Sequence, residues 1–219
     1  MNSENNSIML EQPADRRSKG VFREYAESII IALILALLIR AFVVQAFKIP
    51  SGSMEDTLLI GDHLLVSKFI YGTKIPFTDK VVLKIRDPKR GDVVVFEYPE
   101  DPRKDFIKRI VGLPGDVVEG KDKKLYVNGQ LYENPHAVHK EAEIIPGANS
   151  PRDTFGPITV PQDCYFTMGD NRDRSYDSRF WKFVRRDQLK GLAFIKYWSI
   201  DGPWYKFNIR WGSIGRLID

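Results

Sequence analysis

The chain has one cysteine and three histidines among 219 residues, and it lacks the common signatures of hydrolases. Cys164 has no partner, so an intrachain disulfide is excluded and the thiol reads as a small buried hydrophobe. His63, His136 and His139 form no His-Glu-x-x-His helix. With a solitary cysteine, a closed zinc site is hard to assemble, so no metal and no other cofactor is expected. His136 and His139 fall in a loop-rich stretch, where surface roles are expected. The net charge of +4 arises from 33 basic residues scattered among 29 acidic ones. Clusters such as Lys121-Asp122-Lys123-Lys124 read as solvated turns, and no nucleic-acid partner is expected. There is neither a Gly-x-Ser-x-Gly elbow nor a Ser-x-x-Lys pair. The shortage of histidine leaves lysine as the obvious base for any serine nucleophile.

What the chain does contain is one long apolar stretch. Residues 29–39 are uninterrupted Ile, Leu and Ala, and apolar character resumes after Arg40. A helix over residues 25–47 would be about 34 Å long, against a bilayer core of about 30 Å. Arg40 would snorkel to the headgroups, with Tyr25 and Phe47 at the interfaces. A buried soluble helix competes with this reading, but eleven aliphatic residues leave no polar face. A cleaved signal peptide also competes, since Val44-Gln45-Ala46 would suit a cleavage site. The long polar leader and Arg40 argue against it. The expected organisation is a cytoplasmic tail at residues 1–24, an anchor at 25–47 and an outer domain at 48–219. Orientation rests on Arg16, Arg17, Lys19 and Arg23 before the span, against Arg40 and Lys48 after it.

Beyond Lys48 the sequence reads as strands, with little 3.6-residue periodicity. Residues 63–66, 92–96 and 192–198 are short apolar runs bounded by turn residues. Asn128-Gly129 between two apolar triplets is a strong hairpin signal. Residues 133–162 look like a loop-rich insertion, and a short helix is expected around residues 180–189. Trp198, Trp204, Tyr205, Phe207 and Trp211 crowd the far end, suited equally to a lipid surface or to a core. The expected architecture is mainly antiparallel β.

Three segments are punctuated like catalytic loops. In Ile49-Pro50-Ser51-Gly52-Ser53-Met54, proline restricts the backbone and glycine permits close approach of a substrate. Such a turn can expose a serine hydroxyl beside oxyanion donors, although taken alone it is usually only a turn. In residues 106–111 the strand period sets Lys108 with Ile110 on one face and Arg109 with Val111 on the other. Lys108 would point inward while Arg109 reaches solvent. A model lysine is neutral in only about one molecule in 2,500 at pH 7, a penalty that burial largely removes. An edge-strand Lys-Arg pair guarding against aggregation is the bland alternative. The third segment interleaves Asp170, Asp173 and Asp177 with Arg172, Arg174 and Arg179, which suits a salt-bridged scaffold. Ser175 within it would hold Lys108.

With these segments in their order, the chain closely resembles the bacterial type I signal peptidases. The motifs are residues 50–54, residues 61–66 with Lys68, residues 108–116 and residues 169–179. The resemblance implies a single transmembrane helix, then a β-rich, barrel-like catalytic domain with a β subdomain inserted at residues 119–160. It implies that Ser53 is the nucleophile and Lys108 the general base, with the Ser51 hydroxyl and the Ser53 amide as oxyanion hole. Ser175 matches a serine that hydrogen-bonds the base, Asp177 and Arg179 a supporting ion pair, and Met54 a residue beside the lysine. Asp56, Arg174 and Lys182 depart from the residues frequent there, namely Pro, Asn and Gly. The implied activity is removal of signal peptides with small residues at −3 and −1, at the outer face of the cytoplasmic membrane. The partners implied are preproteins and phospholipid. A peptidase maturing one pilin or conjugation protein, or an inactive peptide-binding module, are the alternatives.

Overall fold

The structure, a computed structural model, describes residues 21–74, 81–82, 84–203 and 206–219. Most of the expected tail, including Arg16, Arg17 and Lys19, lies outside the described residues, as do Trp204 and Tyr205. Helix α1 covers Val21–Phe42, and strand β1 follows at Val44–Lys48.

This boundary corrects the expected 25–47 helix. Val44 to Lys48 pair antiparallel with strand β2 (Asp62–Ser67), in register from Val44 opposite Ser67 to Lys48 opposite His63. The alternation Val44-Gln45-Ala46-Phe47 suits a strand as well as a helix, and cross-strand pairing decides between them. The correction also shortens the apolar run of α1. Only 12 residues separate Glu27 from Arg40, about 18 Å of helix. Among the described residues, no helix is long and apolar enough to cross a membrane. Yet the aliphatic residues of α1 are exposed, Leu37 to 65 % and Ile34 to 53 %.

The remaining strands are β3 (Thr73–Lys74), β4 (Val81–Val82), β5 (Val93–Tyr98), β6 (Asp101–Gly112), β7 (Val117–Lys121), β8 (Lys124–Val127), β9 (Gln130–Leu131), β10 (Phe155–Thr159), β11 (Cys164–Met168), β12 (Val184–Arg185), β13 (Leu189–Asp201) and β14 (Asn208–Ile209). The main sheet is antiparallel in the order β1-β2-β13-β5-β6-β11-β12, with β14 on β13. The insertion forms its own four-stranded sheet, β10-β7-β8-β9. Its β8–β9 turn carries the hairpin signal: Asn128 and Gly129 both have positive φ, 53° and 77°.

Central strand β5 shows why its sequence is continuously apolar. Val93 and Val95 pack into a core with Ile49, Met54, Leu58 and Leu64. Val94 and Phe96 pack on the opposite face with Ile110, Tyr165 and Trp181. Both faces are therefore dry, and period 2 sends alternate residues to different cores. A third core lies against the inserted sheet: Val111, Val118, Leu125, Val160, Phe166 and Met168.

The helix expected near residues 180–189 is shorter and earlier. Helix α2 covers Ser178–Trp181, with Asp177 as its N-cap accepting from the Arg179 amide. Lys182 adopts φ 75° and ends it, and Val184–Arg185 then pairs with β11. Cys164 is half-buried rather than enclosed.

Candidate active site

The turn after Ile49 is held from three directions. Ile49 donates its amide to the Asp62 carbonyl at 2.8 Å and accepts from the Gly61 amide at 3.0 Å. Met54 is fully buried in the core beside Leu58, whose amide donates back to the Met54 carbonyl at 2.7 Å. Asn171 clamps the other side. Its main-chain amide donates to the Ser53 carbonyl at 3.2 Å, and its side-chain amide donates to the Gly52 carbonyl and to Glu55, each at 3.2 Å. Ser53 is thereby fixed in an almost buried position, while Ser51 faces solvent. Met54 thus anchors the turn through the core.

Gly169 is required by this clamp. A Cβ there would come within 2.4 Å of the Ser53 carbonyl and 2.2 Å of the Ser175 hydroxyl. Any side chain would push the loop after β11 off the turn.

Strand β6 brings Lys108 beneath the turn. Its Nζ donates to Ser53 Oγ at 2.7 Å and to the Ile107 carbonyl at 2.9 Å, and the side chain is buried. Burial lowers the Lys108 pKa to about 8. Asp177 and Asp170 oppose that shift, and Arg179 reinforces it. The lysine is therefore neutral in roughly a tenth of molecules at pH 7. A neutral amine within hydrogen-bond reach of a serine hydroxyl is able to accept its proton.

Two expectations are corrected here. Arg109 does not reach solvent: it is 2 % exposed, and its Nε and Nη2 grip Asp170 at 2.8 Å each. Its Nη1 donates to the Gly91 carbonyl and to a main-chain oxygen of Asp219. Both faces of β6 are covered at this point, so alternation separates the two bases without exposing either. Ser175 likewise does not hold Lys108. Its Oγ is buried, and Lys108 donates to Ser53 and Ile107 instead.

The acids of the third segment are scaffold. Asp177 accepts from Arg179 Nε and Nη2 at 2.8 Å each and from the Gly169 amide at 3.0 Å. Its burial favours the neutral acid, but Arg179 and these donors outweigh that and hold its pKa below the usual carboxylate value. Asp170 also accepts from Thr57 Oγ1 at 2.6 Å, which ties the segment after Ser53 to the Arg109 ion pair. Asp173 binds Lys123 of the inserted sheet at 2.8 Å.

Some supporting residues were not expected from the sequence. Besides Asn171, Lys196 on β13 donates to the Thr57 carbonyl at 3.0 Å. Lys140 of the insertion pairs with Glu55 at 2.9 Å and with Asp56 at 3.4 Å. Partners so distant in sequence leave no periodic signal. His139 is half-buried, with Nδ1 3.5 Å from Asp173. Among the described residues, no group of three His, Cys, Asp or Glu is arranged to hold a metal ion.

Comparison with known proteins fits this arrangement. Residues 22–198 match the family model of signal peptidase, peptidase S26. A signal peptidase I of Pseudomonas fluorescens is 43 % identical over 214 residues, covering 82 % of this chain and 74 % of that protein. One from Pseudomonas aeruginosa is 45 % identical over 177 residues, covering 72 % and 62 % respectively. One from Bacillus licheniformis is 40 % identical over 173 residues, covering 78 % and 84 %. With the model spanning most of the chain and relatives of this closeness, the protein belongs to the signal peptidase family, peptidase S26.

Proposed function

We propose that the chain is a serine endopeptidase that removes N-terminal signal peptides from exported preproteins, using Ser53 as nucleophile and Lys108 as general base. The observation that carries this reading is the 2.7 Å contact between Lys108 Nζ and Ser53 Oγ, inside a site that lowers the lysine pKa to about 8. Neutral Lys108 takes the hydroxyl proton as Ser53 attacks the scissile carbonyl. The amine then delivers the proton to the leaving amino group. Water, deprotonated by the same lysine, releases the mature chain from the acyl-enzyme. In this reading the Ser53 amide and the Ser51 hydroxyl stabilise the oxyanion. Asp177–Arg179 and Asp170–Arg109 hold the walls. An extended substrate beside residues 49–54 places small side chains in shallow apolar pockets.

Helix α1 acts as the membrane tether in this proposal. The support is its exposed apolar face between Glu27 and Arg40, whose charged ends snorkel to the headgroups and shorten the span required. The tail then lies in the cytoplasm and the β domain on the outer side of a bacterial cytoplasmic membrane. Tethering raises the effective concentration of substrates whose own apolar segments sit in the same bilayer.

The test is incubation of detergent-solubilised protein with a preprotein, followed by mass determination of both products. Wild type is expected to yield a single cut after a small residue. Lys108→Ala is expected to lose at least about 10³-fold in rate while remaining folded. Undiminished cleavage by that variant would remove lysine from the mechanism.

A further inference from the structure

Glu55 sits where its charge would oppose the reaction proposed above. Its carboxyl group folds back over Gly52, so that a Cβ on that glycine would lie 3.3 Å from the carboxyl carbon. Bond lengths then bring the carboxylate within about 7 Å of the Ser53 amide, one donor of the proposed oxyanion hole. The turn holds it there. The Glu55 amide donates to the Gly52 carbonyl at 3.2 Å, and Asn171 Nδ2 donates to both that carbonyl and the Glu55 carboxylate, each at 3.2 Å. An oxyanion forming on a substrate carbonyl would meet a like charge at this distance, a penalty absent from the uncharged ground state.

The counter-charge comes from the insertion. Lys140 Nζ donates to Glu55 Oε2 at 2.9 Å and lies 3.4 Å from Asp56 Oδ1. The Lys140 and Glu55 side chains are each 32 % exposed and Asp56 is 69 % exposed, so water screens Asp56 more than Glu55. Main-chain bonds carry Lys140 to this place. Val138 donates to the Asp170 carbonyl at 2.8 Å and accepts from the Arg172 amide at 2.9 Å, and the Glu141 amide donates to Asp173 at 2.8 Å. The acids of the facing loop have their own cations: Asp170 pairs with Arg109, Asp173 with Lys123 and Asp177 with Arg179. Among the described residues, no other cation makes an ion pair with Glu55 or Asp56.

We propose that Lys140 is a positioning residue for the reaction: by neutralising Glu55 beside the oxyanion hole, it lets negative charge develop on the scissile carbonyl oxygen. This inference rests on the serine endopeptidase reading and adds that the insertion contributes to the rate. Lys140 acts through Glu55 rather than on the substrate.

The test uses full-length protein in detergent with two readouts, cleavage of a preprotein and acylation of Ser53 by a neutral p-nitrophenyl ester followed by mass. Lys140→Met is expected to lower kcat and the acylation rate roughly fivefold, with KM within about twofold and the melting temperature within about 2 °C of wild type. Its pH profile should keep the wild-type inflection, because burial, Asp177, Arg179 and Asp170 set the Lys108 pKa and neither Glu55 nor Lys140 does. A moved inflection would put the effect on Lys108 and overturn the proposal. Combining Lys140→Met with Glu55→Gln is expected to recover at least about half of the wild-type rate, since Gln keeps an acceptor for Asn171 and leaves no charge over Gly52. A wild-type rate in Lys140→Met overturns the proposal. So does a double variant as slow as Lys140→Met, which would make the pair a structural clamp only. Should Lys140→Met fail to fold, Glu55→Gln decides alone: a rise in kcat is expected, and a rate at or below wild type overturns the proposal. If wild type is acylated but cleaves no preprotein, the endopeptidase reading fails while the ester rates still decide this inference.

Discussion

Helix α1 and the candidate site break the same rule in opposite directions. The helix exposes Ile29 to Ile39, aliphatic residues that globular proteins bury. The site buries Lys108, Arg109, Asp170, Arg172, Asp177 and Arg179, charged residues that globular proteins expose. The difference lies in what compensates each violation. Around the site, bidentate ion pairs and main-chain donors satisfy most of the buried charges, so the compensation is internal and rigid. The aliphatic residues of the helix are exposed, and in the proposed reading a bilayer covers them. The proposed proton transfer needs the first arrangement, and the proposed tether needs the second.

The contrast breaks most visibly if one member of a buried ion pair is removed. Asp170→Asn leaves the Arg109 guanidinium in place without its counter-charge, and a loss of about 3–5 kcal/mol is expected in denaturant titrations. A change below about 1 kcal/mol would mean that the pair is hydrated and the burial argument wrong.

Lys108 sharpens the same point through pH. Its folded pKa of about 8 lies below the model value of 10.5, so the unfolded chain binds more protons between those values. Stability of the wild type should therefore rise with pH from about 8 to 10.5, as the cost of burying the charged amine is relieved. Below about pH 8 that cost is fully present, on the order of 3 kcal/mol. Lys108→Met is expected to be more stable than wild type at pH 7 by about that amount, with the advantage vanishing by pH 10.5. Cleavage by the wild type should climb about tenfold per pH unit below 8 and level off above it. A flat rate between pH 6 and 8 would contradict a titrating lysine base.

On the helix side, Ile34→Asp places a charge in the middle of the exposed apolar run. A cost of about 3 kcal/mol in membrane partitioning is expected, visible as release into the alkaline-carbonate supernatant. The purified variant should keep the thermal stability of its β domain. Unchanged sedimentation with membranes would overturn the proposed anchor role of α1.

The smallest effect concerns the end of α2. Lys182 holds φ at 75°, a region that favours glycine. Lys182→Gly is expected to stabilise the fold by up to about 1 kcal/mol in thermal melts, with no change in cleavage rate. A destabilised variant would show that the lysine side chain makes a compensating contact.

Much of the β architecture was legible because its signals are local. Asn128-Gly129 tolerates the positive φ that the β8–β9 turn requires, and the apolar run of β5 reflects burial on both faces. The start of β1 was not legible, because Val44 to Phe47 continue the apolar character of α1 and only the register with β2 makes them a strand. The short helix was misjudged because its end depends on Lys182 and on the β11–β12 pairing. At the site, the period of β6 separates Lys108 from Arg109, but the covering of Arg109 by Asp170 and Gly91 comes from segments far away in the chain. Ser175 illustrates the same limit: its place in the motif is visible, its lack of a bond to Lys108 is not.

From the order of residues alone came a nucleophile candidate on a Pro-Ser-Gly-Ser turn, a base candidate on a strand, an apolar leader and a β-rich remainder. Only the folded chain decided that the amine meets the hydroxyl and that both arginine–aspartate pairs are dry. The reason is that alternation and turn chemistry act over a few residues, whereas desolvation depends on every segment that closes over a group.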